Sequence, residues 1–351
     1  MLLLRPDHIG DVVLTSPAVQ LLRDSLPRAH LTYVVGPWSV DAARCGPPVD
    51  DLRTLAYPGF TRRSNANLVQ PYALLVREAR RLRNERYDAA VVFRPDHWWG
   101  ALLASVAGIP LRLGFLTPET RPFLTHGQAL RGEHAAEEAL GLARLALATL
   151  DVQACGEPGI TFTVPQAARE RTAAFWSLHG LTGRPVVCVQ PTAGAVLKSW
   201  PIEAWVRLVD GSSEAASVVL AGAPADAMLL QAIQERCSRP PFVVRGESIA
   251  DSAAVYERAR LLVGVDGGAA HVAAAVGTPT VRVYGPAPVA RYGPWPPRDD
   301  QRVVMADALA CIPCGHLDKP PCGASTLPAC MLAVSVEDVL REVRSLLFSQ
   351  R

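Results

Sequence analysis

The stretch Leu261-Leu262-Val263-Gly264-Val265-Asp266-Gly267-Gly268-Ala269-Ala270-His271 decides the fold. A short apolar run gives way to an acid, two glycines and then small residues at helical spacing. That is how a buried parallel strand turns into a helix at the carboxyl edge of an open α/β sheet. The same grammar stands at the other end of the chain, where Leu2-Leu3-Leu4 leads through Arg5-Pro6-Asp7-His8-Ile9-Gly10-Asp11 into an apolar helical run. Two such openings predict two doubly wound, Rossmann-like α/β domains, each aiming a helix N-terminus at a shared central cleft.

The sequence between and around them agrees. Strands are expected at Leu31–Val35, Ala89–Phe93 and Leu111–Phe115, with helices at Pro17–Ser25, Pro71–Asn84, Gly100–Ala107 and His134–Leu150. Asp151–Thr163 lacks helical periodicity and contains Gly156-Glu157-Pro158-Gly159, which reads as a linker. The alternation then restarts with strands at 186–189, 217–221, 242–244, 261–265 and 280–284 and helices between them. The expected division is 1–163, 164–334 and a C-terminal helix, 335–351, packing back on the first domain. Ser335 stands three residues before Asp338, a capping-box-like start.

Composition narrows the function. At 351 residues, 49% hydrophobic, the chain can bury two cores. A net charge of +2 is too balanced to point to nucleic acid. The apolar runs fall short of the roughly 20 residues of a spanning helix. Cys45, Cys155, Cys188 and Cys237 are scattered, which fits a cytoplasmic protein rather than a disulfide scaffold.

Three places can carry chemistry. Asp11 reads either as the N-cap of the first helix or as a general base facing a ligand, with His8 and Gly10 beside it. Gln190–Pro201 is a strand-to-helix loop in which small residues admit an anion and Lys198 neutralises it. In Asp266–His271 the glycines leave room for a pyrophosphate, while Asp266 and His271 offer hydrogen bonds. The bland reading there is an N-cap and a packed histidine. No Gly-x-Gly-x-x-Gly occurs, so NAD is not indicated.

Ile9-Gly10-Asp11-Val12-Val13-Leu14-Thr15-Ser16-Pro17-Ala18 resembles the opening motif of glycosyltransferase family 9, the ADP-heptose:lipopolysaccharide heptosyltransferases. Thr192–Pro201, with its Lys-x-Trp-Pro ending, is similar to that family's phosphate loop. Val265–Pro279 resembles its Asp-Thr-Gly-x-x-His-x-x-Ala-Ala signature, and Tyr284-Gly285-Pro286 and Arg291-Tyr292-Gly293-Pro294 extend the likeness. The resemblance implies a GT-B fold and a metal-independent, inverting transfer from an ADP-heptose-like donor to a glycan or glycolipid acceptor. It makes Asp11 the base. Thr192 and Lys198 become diphosphate ligands. Asp266, Gly267, Gly268 and His271 bind the donor's sugar and phosphates, and Glu247, Ser248 and Ile249 lie beside the base. Gly267 stands where the family has Thr, and Glu247 where Lys is frequent, which leaves the donor sugar open. A nucleotide-sugar epimerase and a non-catalytic nucleotide-sugar binder are the rival readings.

Two features remain. Cys311, Cys314, Cys322 and Cys330 form Cys-x2-Cys-x7-Cys-x7-Cys, read as a structural zinc site, reduced thiols or a loop disulfide. Arg77, Arg80, Arg81, Arg83 and Arg86, near Arg62 and Arg63, make one basic helix, either solvated or set against anionic headgroups at the inner membrane surface.

Overall fold

The computed structural model describes residues 1–60, 69–192, 194–307 and 309–349. The chain forms two compact units, the first ending at Thr161 and the second starting at Phe162.

The first unit alternates β1 (Leu2–Arg5), α1 (Ile9–Ser25), β2 (Thr32–Val35), α2 (Val40–Arg44), β3 (Asp51–Thr54), α3 (Gln70–Glu85), β4 (Ala89–Val92), α4 (Trp98–Val106), β5 (Leu111–Phe115), β6 (His126–Gln128) and α5 (Ala135–Thr149). All its strands are parallel, in the order β3-β2-β1-β4-β5-β6. β1 is central: Leu4 pairs with Val34 on one side and Val92 on the other. Strands covered by helices on both faces have no polar side, which is why β1, β2 and β4 are apolar throughout or nearly so and wholly buried.

The second unit repeats the plan with α6 (Gln166–Leu178), β7 (Val186–Gln190), α7 (Ile202–Ser212), β8 (Ser217–Gly222), α8 (Ala227–Gln234), β9 (Phe242–Arg245), α9 (Ile249–Arg258), β10 (Leu261–Val265), α10 (Gly268–Ala275), β11 (Thr280–Val283), α11 (Val289–Tyr292), β12 (Gln301–Val304), α12 (Ala329–Leu332) and α13 (Val336–Phe348). Its parallel order is β12-β11-β10-β7-β8-β9. Counted within each unit, both sheets therefore run 3-2-1-4-5-6. Their direction of winding reverses between β1 and β4 in one and between β7 and β10 in the other. Crevices at such reversals are where open α/β sheets hold ligands.

α1 begins eight residues before the expected Pro17. Proline inside a helix removes the bond to the carbonyl four residues back, here Val13. The Ser16 hydroxyl donates to that carbonyl at 2.7 Å, so the helix runs through. The Ser16 oxygen also accepts from Thr161 N at 3.1 Å, tying the linker to α1.

The last helix packs on the core of the second unit. Ser335 does cap α13, accepting from Asp338 N. Its apolar face lies in the second unit's core: Val336, Val339, Val343, Leu346 and Leu347 pack there with Val187, Val263 and Val281. Valine and leucine at i, i+3, i+7, i+10 and i+11 form one stripe, and α7 with β10–β12 is the surface that covers it. Gly211 in α7 lets this pair approach closely: a Cβ there would lie 2.8 Å from a Leu340 methyl.

Candidate active site

The loops at the two reversal points hold nearly all the residues singled out above. In the first unit, α1 starts with His8 at the N-cap position, and no His8 side-chain bond caps it. Asp11 lies inside the first turn, so the N-cap reading of Asp11 is wrong. A carboxylate there still meets the positive end of the helix dipole. Its side chain is 30% exposed, with Oδ1 3.4 Å from Arg5 Nη2. His8 is exposed, its ring 5.9 Å from that of Trp38, and Gly10 is half-buried in the same turn.

Around Asp11 lies a charged network. Arg5 is paired with buried Asp7 at 3.0 Å and donates to Phe93 O. Arg94, from the loop after β4, reaches Asp7 with one nitrogen and chelates Asp96 with two others, at 2.5 and 3.0 Å. Burial, and then the neighbouring Asp7 carboxylate, push the Asp11 carboxyl above the ordinary range, against the pull of Arg5 and Arg94. A carboxylate with a raised pKa is a better proton acceptor than a free one.

In the second unit, Lys198 Nζ lies 2.5 Å from Asp266 Oδ2, and both side chains are largely buried. The two residues assigned separately to phosphate and sugar thus form one ion pair, joining the loop after β7 to the loop after β10. Thr192 accepts from Gln190 Nε2 at 2.8 Å and donates to Asp226 Oδ2 at 3.2 Å; its hydroxyl already has protein partners. Ala193 of that loop lies outside the described residues. Gly267 is the N-cap of α10 with φ 178°, extended backbone that any residue adopts. What glycine contributes here is an absent side chain, not a special dihedral.

His271 is buried. Arg282 packs against it and donates to Ala270 O, Gln301 Oε1 and Thr280 Oγ1, with a nitrogen 3.5 Å from His271 Nδ1. A guanidinium has no acceptor, so Nδ1 takes that bond, and in the neutral ring the proton sits on Nε2. Arg282 is 1% exposed, and the Asp266 carboxylate and the Tyr284 hydroxyl lie near enough to act on its charge. Its charge adds to the positive end of α10. An arginine in the middle of the buried strand Thr280-Val281-Arg282-Val283 is the sequence signal for this group, and it lies outside every motif named above.

The Gly246–Ile249 run lies between β9 and α9, at the far edge of the sheet. Glu247 is exposed. Ser248 is the N-cap of α9, accepting from Asp251 N and donating to Asp251 Oδ2, and Ile249 opens the helix half-buried.

Of the three readings of the four cysteines, the structure agrees with free thiols and not with a zinc site or a disulfide. Among the described residues no group of three or more His, Cys, Asp or Glu is placed to hold a metal ion. All four thiols are free; Cys311 and Cys322 are exposed, while Cys330 is buried in the second core. Burial raises the Cys330 thiol, which disfavours the thiolate a metal needs. On α3, Arg77 and Arg81 pair with Glu78, and Arg81 also with Glu85, while Arg83 donates to Val106 O. Arg62 and Arg63 lie outside the described residues. No described helix is long and apolar enough to cross a membrane.

Comparison with known proteins adds the rest. Residues 75–320 match the model of glycosyltransferase family 9 (heptosyltransferase). The chain is 24% identical to lipopolysaccharide heptosyltransferase 3 of Escherichia coli over 82% of its length and 83% of the relative's. A family 9 glycosyltransferase structure from Veillonella parvula superposes with a TM-score of 0.80 at 25% identity, over 99% of this chain and 97% of the other. E. coli ADP-heptose LPS heptosyltransferase II gives 0.74 at 21%, over 99% and 98%. The order of strands, the loops at both reversal points and a family match covering more than half of the sequence lead to one conclusion: this chain belongs to glycosyltransferase family 9.

Proposed function

We propose that the protein transfers a heptose-like sugar from a nucleotide-diphosphate donor, ADP-heptose in chemistry, to a lipopolysaccharide-core or related surface glycan. The second unit holds the donor: Lys198 and the N-terminal amides of α10 meet the diphosphate, His271 and Asp266 its sugar side, and the Glu247–Ile249 loop the nucleotide base. Thr192 positions the loop after β7 through Gln190 and Asp226. The first unit holds the acceptor, with His8 and Gly10 lining the approach to Asp11.

The reaction is a single displacement. Asp11 takes the proton of an acceptor hydroxyl as its oxygen forms a bond to the anomeric carbon. The bond from that carbon to the diphosphate oxygen breaks, the nucleoside diphosphate leaves with the electron pair, and the configuration inverts. Charge on the leaving group is met by fixed cationic and dipolar groups, so no metal ion is assigned to the chemistry.

The observation that carries this reading is Asp11: a partly exposed carboxyl of raised pKa, at a reversal point and in a family of sugar transferases. The experiment is incubation with ADP-heptose and heptose-deficient lipopolysaccharide. Acceptor-dependent ADP release with a heavier glycan product is expected. Conversion of the donor alone, with no acceptor product, would replace this reading with an epimerase.

A further inference from the structure

Beside Asp11, the first unit has a cavity of about 470 Å³, within the range of small-ligand sites, about 300–1,000 Å³. Its walls include Phe60, Tyr72, Arg94, Asp96, His97 and Trp98. It opens at the β1/β4 reversal, and Arg94, Asp7 and Arg5 link it to Asp11 by consecutive ion pairs.

Its chemistry is mixed in a particular way. Tyr72 and Trp98 are large aromatics left 56% and 40% exposed. Arg94 covers the Phe60 ring at 4.9 Å and offers its guanidinium edge together with the Asp96 carboxylate. Two guanidiniums, Arg5 and Arg94, face three carboxyls, Asp7, Asp11 and Asp96, so the site has no surplus positive charge for a phosphate. His97 lies in the wall, 4% exposed, and neither ring nitrogen has a hydrogen-bond partner among the described residues. Burial pushes its pKa down to about 4, so the ring is a neutral donor and acceptor. A buried polar ring left unsatisfied by the protein is costly. Gly100 makes room for it: a Cβ there would lie 2.4 Å from His97 Nδ1. Glycine is disfavoured inside a helix, and in α4 it seats this imidazole.

We propose that this pocket binds a neutral sugar residue of the acceptor, its C–H face on Trp98 and Tyr72 and its hydroxyls on Arg94 and Asp96, with the neutral ring of His97 packed in the wall behind them. A sugar ring has an apolar face and a rim of groups that both donate and accept, which matches these walls. An anionic ligand does not. The inference rests on the first unit being the acceptor side, and it makes the pocket a specificity site that presents one acceptor hydroxyl to Asp11.

The test compares wild type with Trp98→Ala, Asp96→Asn and His97→Phe by two readouts. Saturation-transfer NMR with deacylated heptose-containing core oligosaccharide reads binding without turnover; inorganic phosphate is the control ligand. Steady-state kinetics reads the KM of acceptor and donor separately. The pocket predicts oligosaccharide signals that Trp98→Ala abolishes, no competition by phosphate, and an acceptor KM raised about tenfold or more with donor KM unchanged. Binding lost in the variants without transfer by wild type would keep the pocket and sink the transferase reading. Transfer with an acceptor KM unmoved in all three variants would overturn the pocket and leave the transferase intact. Absence of oligosaccharide binding to wild type, or displacement by phosphate, would also overturn it.

Discussion

At the scale of single residues, the account turns on how a carboxyl beside two arginines keeps a raised pKa. Burial raises it first; Asp11 is near Arg5, but Arg5 and Arg94 are already engaged by Asp7, whose charge also opposes ionisation of Asp11. The base form is needed for transfer, so kcat/KM rises with pH through this raised pKa, and the acidic limb lies above the ordinary aspartate value of about 4. Asp7→Asn removes the like charge and releases both arginines toward Asp11. Its limb therefore moves to lower pH, which a pH–rate profile reads directly; a limb that stays or moves up contradicts the assignment. In the second unit, Lys198→Ala removes the cation proposed for the diphosphate. Calorimetric titration should show ADP affinity weaker by about tenfold or more, in line with loss of a charge-assisted bond. An unchanged affinity would leave Lys198 as no more than the counterion of Asp266. The motif residues were legible because their types are chemically restrictive and they follow apolar strands. Arg94, Asp96 and His97 follow the strand at 89–92 in the same way. Their role was not legible, because the burial of His97 depends on Gly100 and on rings brought in from Tyr57, Phe60 and Trp99.

At the scale of elements, the central strands announced themselves, and of the edge strands only β9, with its apolar Phe-Val-Val, did so. β1, β2, β4, β7 and β10 are buried throughout. β3, β6 and β12 flank the sheets, are mostly half-buried or exposed, and carry Asp51, Arg53, His126 and Arg302, which hides a strand from any apolar pattern. In α1, Pro17 looks like a boundary, but Ser16 satisfies the carbonyl that the proline leaves open. α13 had the right cap and the right stripe, but a stripe alone does not name the surface that covers it. Its place in the second core predicts that Leu346→Ala, a buried truncation, lowers stability by about 2–5 kcal/mol. Urea unfolding of the full chain followed by tryptophan fluorescence checks this; an unmoved midpoint would contradict the place of Leu346 in that core.

At the scale of the molecule, one strand order is used twice, 3-2-1-4-5-6, and each sheet carries its chemistry at its own reversal point. That duplication explains why two distant motifs, around Asp11 and around Asp266, look alike in sequence yet differ in their groups: one ends in the carboxyl proposed as the base, the other in a cation–acid pair under a helix N-terminus. It also sets the expectation for metals. If Lys198, the α10 amides and buried Arg282 carry the electrostatic load, excess EDTA leaves the transfer rate unchanged, and a rate abolished by EDTA and restored by a divalent cation would contradict this. The central claim is that Asp11 is the base of a sugar transfer. The measurement that tests it most directly is acceptor-dependent ADP release by Asp11→Ala beside wild type, with ADP binding measured on the same samples. The account predicts binding intact and the rate lower by at least about 100-fold. Turnover close to wild type, with the same product, would contradict it.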